Sequence, residues 1–215
     1  MNTFTYHKFP YSFFKGDCER IVEFYSANNS VKDILIKPVF FEVIDIPPKL
    51  TVLGRRVSVV VLIVSPSNHV AAPHTDGTFA LLRDEKGITK SIERKLALNI
   101  PVSGCEGSLT RFYTSSDKNP TKLGVGQDTF TKYQTEKMKE IMESSLSSGL
   151  TDDTPYYAIH RRQYLTKVAE LELTSPSLIN VGSSVHEVVN FKKTPRVALS
   201  LRFEEDPWDW IPGYS

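Results

Sequence analysis

Residues 196–203 read Arg-Val-Ala-Leu-Ser-Leu-Arg-Phe, and this strict alternation constrains the chain more than any other stretch. Side chains of an extended strand point alternately to opposite faces. Val197, Leu199, Leu201 and Phe203 therefore form one apolar face, to be packed on a core or a helix layer. Arg196, Ala198, Ser200 and Arg202 form the other, which must line something polar. Small residues beside Arg196 leave room for a ligand, so this strand reads as a carboxylate-binding wall.

Other segments are extended by the same criteria of β-branched content and period two. They are Val39–Ile46, Val57–Val64, His69–Asp76, Lys95–Val102, Ser108–Thr114, Tyr156–Arg162, Thr166–Leu173, Ser177–Val181 and Val185–Asn190. Pro47-Pro48, Ser65-Pro66-Ser67-Asn68, Ser103-Gly104 and Thr174-Ser175-Pro176 punctuate them with turn chemistry. Two helices are predicted. Asp17 caps the first, with Ile21, Val22, Phe24 and Tyr25 as its apolar side; the second runs from about Thr131 to Leu146, with Gly149 as its stop. Many short strands and few helices predict a mainly β fold, a sandwich or jelly roll with flanking helices.

At 215 residues the chain fits a single domain, 1–215, with a β core over about 39–203 and a helical insertion over about 115–154. Formal net charge is +1, so no global field favours nucleic acid or an anionic membrane. Cys18 and Cys105 are two distant thiols, the usage of a reduced compartment rather than of a disulfide scaffold. No secretory signal is read in the first residues, and the longest apolar run, Val57–Val64, is too short to span a bilayer. The expectation is a soluble, cytoplasmic protein without a membrane partner.

His74-Thr75-Asp76 places an imidazole and a carboxylate at i and i+2, on one face of a strand. His186 follows in Gly182-Ser183-Ser184-Val185-His186-Glu187, and Arg196 stands ten residues after it. Two imidazoles and one carboxylate are the ligand set of a facial triad, which leaves coordination positions of a ferrous ion open. His74, Asp76 and His186 are the candidate metal ligands. A planar guanidinium suits bidentate capture of a carboxylate, which makes Arg196 the candidate anion grip. Competing readings are a structural ion pair between Arg196 and Glu187, and a carboxylate role for Arg202 instead. His69 reads as a strand-start residue, His160 as a strand-surface residue, and Arg161-Arg162 and Lys192-Lys193 as solvated charges.

His74-x-Asp76, His186 and Arg196 at plus ten resemble the Fe(II)/2-oxoglutarate oxygenase superfamily over about His69 to Phe203. The resemblance implies a double-stranded β-helix, with Fe(II) on His74, Asp76 and His186 and the C5 carboxylate of 2-oxoglutarate on Arg196. Many members carry Ser or Thr two residues after the arginine, whereas here that position is Ala198; Ser200 or a hydroxyl from another strand is left to compensate. Leu98-Asn99-Ile100-Pro101 and Ser108-Leu109-Thr110-Arg111-Phe112-Tyr113 are similar to core strands of some hydroxylases in this superfamily, which implies that Asn99 and Tyr113 help hold 2-oxoglutarate. The implied activity is a dioxygenase consuming O2, by default a hydroxylase of a peptide side chain (prolyl or aspartyl/asparaginyl) or of a free small metabolite. The alternatives are a jelly-roll metalloenzyme that does not use 2-oxoglutarate and a non-catalytic binding or structural jelly roll. The C-terminal Pro207-Trp208-Asp209-Trp210-Ile211-Pro212 is expected to fold back onto the barrel.

Overall fold

The computed structural model describes residues 4–28, 41–44, 50–76, 80–83, 89–92, 94–124 and 156–214. In chain order the strands are β1 (Tyr6–Lys8), β2 (Phe41–Ile44), β3 (Thr51–Val52), β4 (Arg55–Ser65), β5 (His69–Val70), β6 (His74–Asp76), β7 (Ala80–Arg83) and β8 (Thr89–Ile92). They continue with β9 (Leu96–Ser103), β10 (Leu109–Ser115), β11 (Thr121–Gly124), β12 (Tyr156–Ile159), β13 (Leu165–Glu172), β14 (Ser177–Asn180), β15 (Val185–Asn190) and β16 (Arg196–Phe203). Helix α1 (Asp17–Asn28) follows a short 3₁₀ turn at Tyr11–Phe14. The expected helix at 131–146 lies outside the described residues.

Two antiparallel sheets carry the architecture, one ordered β1-β14-β9-β16-β4-β2 and the other β11-β12-β6-β15-β10-β13; β7 and β8 form a separate hairpin. The pairing is nested. β4 pairs with β16, β6 with β15, β9 with β14, and β10 with β13. Successive pairs fall alternately in the first sheet and the second. A long hairpin wound on itself gives this pattern, and the result is a β-sandwich of jelly-roll type.

β16 divides its faces as its alternation predicts. Val197, Leu199, Leu201 and Phe203 are buried in a core shared with Phe14, Cys18, Ile21 and Tyr25 of the helical layer. The opposite face carries Ala198 into a second apolar cluster with Ala97, Cys105, Phe112, Leu171, Leu173 and Ile179, between the two sheets. Arg196, Ser200 and Arg202 are buried on that same inner face.

Three local expectations are corrected. The span 69–76 breaks into β5 and β6 at Ala71-Ala72-Pro73, because proline has no N–H to donate to a ladder. In α1, Phe24 is on the exposed side, and Cys18, Ile21 and Tyr25 make the buried stripe at helical spacing. Asp17 does not cap its own helix, since its carboxylate accepts the Leu53 N–H at 2.9 Å and pairs with Arg20. It therefore ties α1 to the turn between β3 and β4.

The C-terminal aromatic segment does fold back. Trp210 meets Phe14 and Phe203 edge-on at 5.7 and 5.2 Å, and Ile211 is buried in the same core. Both cysteines are free and buried. No helix among the described residues is long and apolar enough to cross a membrane.

Candidate metal centre

β6 and β15 are neighbours, and His74 stands directly opposite His186 in their register. Cross-strand partners point to the same face, so the strand pairing itself brings the two imidazoles together, with ring centroids 4.5 Å apart. Asp76, two residues along β6, shares that face. Its Oδ1 lies 3.4 Å from His74 Nε2 and 3.8 Å from His186 Nε2. Two atoms each about 2.1 Å from one ion are at most about 4.2 Å apart, so both separations suit a common metal. One candidate donor atom from each of the three residues lies within 4.8 Å of the others.

Both rings are oriented in the same way. His74 Nδ1–H donates to the Ala72 carbonyl at 2.7 Å, and His186 Nδ1–H donates to the Ser184 carbonyl at 3.0 Å. A carbonyl only accepts, so Nδ1 of each ring carries a proton and Nε2 is the atom turned toward Asp76. Burial, followed by the charge of His74, pushes the His186 imidazole down to about 4. Burial alone would raise the Asp76 carboxyl, but the His74 hydrogen bond and the Arg202 charge outweigh it and hold the group well below the usual carboxylate range. The pairing with Asp76 in turn raises His74 against its own burial.

Arg202 crosses from the other sheet. Its Nη2 donates to Asp76 Oδ2 at 2.5 Å and its Nη1 to Ser200 Oγ at 3.1 Å. One carboxylate oxygen is thus neutralised from behind while the other faces the imidazoles. Ser200 Oγ accepts from Arg202 and stands four residues from Arg196, about 13 Å along the strand. Asn99 is opposite Ser200 in the register of β9 and β16; it is buried, and its Oδ1 has no hydrogen-bond partner among the described residues.

Arg196 is 1% exposed, yet it pairs with no carboxylate among the described residues. Nη2 reaches Thr110 Oγ1 at 3.4 Å, whereas Nε and Nη1 have no hydrogen-bond partner among the described residues. Burial lowers its affinity for the proton, with the Cys105 thiol close by. Thr110 is two residues along β10 from Phe112, which is opposite His186. The orphaned guanidinium therefore lies about 7 Å along the sheet from the rung that carries the metal cluster.

Two expected partners are elsewhere. Tyr113 donates its hydroxyl to Glu187 Oε1 at 2.5 Å, and Glu187 points to the opposite face from its neighbour His186. Tyr113 is thus not brought to the cluster. Glu187 is fully buried under Arg162 at 2.7 Å and Arg111 at 3.9 Å, which removes it as a counter-ion for Arg196. His160 follows β12 with Nδ1 3.0 Å from Ser115 Oγ, and Asp117 clamps Arg161 beside it. Cys105 belongs to no motif, and within 108–113 only the inward alternation of Thr110 and Phe112 marks the side that Thr110 faces.

No family model matches the chain, and comparison with curated proteins finds no relative. Among solved structures, apo HygX from Streptomyces hygroscopicus aligns over 93% of this chain and 81% of its own, at 12% identity and a TM-score of 0.33. HygX with nickel and 2-oxoglutarate bound aligns at 12% identity and a TM-score of 0.33, covering 93% of this chain and 82% of its own. HygX with nickel, 2-oxoglutarate and hygromycin B bound gives 11% and 0.34, with the same 93% and 82% coverage. At these values the likeness carries no weight for fold or chemistry.

Proposed function

We propose that this protein is an Fe(II)- and 2-oxoglutarate-dependent oxygenase on a double-stranded β-helix, and that residues 1–215 form one domain with its core over about 39–203. The nested strand pairing supports the fold. The chemistry rests on one juxtaposition: His74, Asp76 and His186 cluster in the same inter-sheet space as a buried arginine that has no carboxylate partner among the described residues. A buried cation without an anion is costly, and a ligand carboxylate removes that cost.

His74 Nε2, Asp76 Oδ1 and His186 Nε2 would hold the metal, and Arg196 the distal carboxylate of the co-substrate. Iron with 2-oxoglutarate and O2 supplies a two-electron oxidation of a substrate C–H bond, with release of succinate and carbon dioxide. The chain's own residues do the positioning. The carbonyls of Ala72 and Ser184 fix both imidazoles, Arg202 fixes Asp76, and the apolar cluster around Phe112 and Ala198 keeps water from the space between the sheets. Asn99, on the inner face with an orphaned Oδ1, is available to the co-substrate or to an ordered water. Hydroxylation is the proposed outcome, on a peptide side chain or a small metabolite.

Anaerobic mixing with Fe(II) and 2-oxoglutarate should produce the weak visible charge-transfer band of the chelate. His74→Ala should abolish it, and Arg196→Ala should raise the 2-oxoglutarate concentration required by at least tenfold. A folded, iron-loaded protein that shows no band would sink this function in favour of a jelly-roll metal protein with other chemistry.

A further inference from the structure

β6 is three residues long, and among the described residues its register with β15 is a single pair, His74 opposite His186. Pro73 cuts the ladder immediately before that pair, so the rung alone holds the two imidazoles at their spacing only loosely. The carbonyls of the Ala71-Ala72-Pro73 break are taken up one by one. Ala72 accepts His74 Nδ1–H at 2.7 Å, Pro73 accepts the His160 N–H at 2.9 Å, and Ala71 accepts Arg162 Nη2 at 3.4 Å. The same Arg162 nitrogen donates to Glu187 Oε2 at 2.7 Å. Ala71 stands three residues before His74, and Glu187 is the residue after His186. We infer that Arg162 is a positioning residue for the metal centre, bridging the chain that leads into His74 and the strand that carries His186 from behind the sheet, and so setting the gap between the two ligands. This inference rests on the metal-binding reading of His74, Asp76 and His186.

Both ends of the bridge are anchored. Glu187 Oε1 accepts the Tyr113 hydroxyl at 2.5 Å, which fixes the carboxylate that Arg162 meets. On the other side, Asp117 holds Arg161 through its backbone N–H at 2.9 Å and its guanidinium at 2.6 and 3.1 Å, and His160 Nδ1 lies 3.0 Å from Ser115 Oγ. The run 160–162 is therefore pinned before Arg162 reaches over Glu187. A terminal guanidinium nitrogen carries two hydrogens, one for each of its acceptors. The Arg162 side chain is 57% exposed, but that of Glu187 is 0% exposed. An ordinary surface pair contributes little, whereas losing the partner of a buried carboxylate leaves that charge poorly compensated. Position and charge also predict opposite signs. Deleting a cation close to a divalent metal tightens the metal by Coulomb's law, while loosening the gap between its ligands weakens it.

The test is calorimetry of the full-length chain with Co(II), together with the visible d–d absorption of the bound ion, which reports the geometry of its ligands. Arg162→Met should weaken Co(II) about tenfold, the lower end of the range for outer partners of metal ligands, and should alter the d–d spectrum. Arg162→Lys, whose ammonium can meet the same two acceptors, should recover most of the affinity and the wild-type spectrum. Lys167→Met removes an equal charge that is paired with Glu170 elsewhere on the sheet, and should bind as wild type does. Arg162→Met combined with Glu187→Gln takes away the uncompensated carboxylate as well, keeps the chain folded by thermal melting, and should still bind Co(II) weakly. A folded Arg162→Met protein that binds Co(II) as tightly as wild type or more tightly, with an unchanged spectrum, overturns the role of Arg162. So does a double variant restored to wild-type affinity. In either case Co(II) bound by wild type and lost in His74→Ala preserves the metal centre, whereas folded wild type that takes up no Co(II) removes both.

Discussion

A histidine two residues beyond a free carbonyl is the repeated device of this site. Ala72 and Ser184 each accept Nδ1–H from the second residue after them, so each imidazole is oriented by its own strand. Asp76 is oriented differently, by a cation 126 positions away in sequence. Second-layer partners of this kind tune metal affinity by about ten- to a hundredfold. Arg202→Met should therefore weaken Fe(II) or Co(II) binding by that factor, measured by anaerobic calorimetry; unchanged affinity in a folded variant would remove Arg202 from the metal site. Part of this was legible beforehand. His74 and Asp76 share a face because i and i+2 always do on a strand, and Arg202 shares one with Arg196 for the same reason. Tyr113 and Ser200 show the limit: the first is turned out to Glu187 and the second is taken by Arg202.

At the scale of elements, β16 is the strand whose sequence said most, since an apolar half and a polar half on one strand require two different environments. α1 was harder. Four apolar residues in a short helix leave the buried stripe ambiguous, and packing on Phe14 and the outer sheet face selected Cys18, Ile21 and Tyr25 over Phe24. The junction after β12 is held by Asp117, whose carboxylate accepts from Arg161 Nη2 at 2.6 Å, from Nε at 3.1 Å and from the Arg161 backbone N–H at 2.9 Å. The Arg161 hydrogen bonds hold the carboxyl well below its ordinary value. A depressed folded-state pKa means that the unfolded chain takes up the proton first as pH falls. The stabilisation is therefore complete above about pH 4 and is lost in more acidic solution. Asp117→Asn should lower the melting temperature at pH 7, and its deficit against wild type should shrink as pH falls toward 2. A deficit independent of pH would show that the clamp acts through shape and not charge.

For the whole molecule, the nested pairing sets the strands that carry the His-Asp-His cluster side by side. β6 and β15 are paired in one sheet, β4 and β16 in the other, and the Arg202–Asp76 bond joins the sheets. A metal held by β6 and β15 should bind the native state and not the unfolded chain. At a hundred times its dissociation constant such a ligand adds about 2.7 kcal/mol, which for a chain of this size corresponds to a melting shift of about 5–10 °C. Anaerobic melting with and without Fe(II) should show that shift in wild type and lose it in His186→Ala. An equal rise in both proteins would place the metal elsewhere.

The alternation of β16, the shared face of His74 and Asp76, the β class and the residue types of the His-Asp-His cluster were all determined by the sequence alone, because side-chain direction along a strand is a property of the local backbone. Only the tertiary structure decided that His74 stands opposite His186, that Arg202 and not Arg196 neutralises Asp76, and that the hydroxyl beside Arg196 belongs to Thr110. Those neighbours are separated by 112, 126 and 86 positions, read as differences of their residue numbers. Their contact depends on register and on the winding of one sheet against the other, which no local pattern encodes.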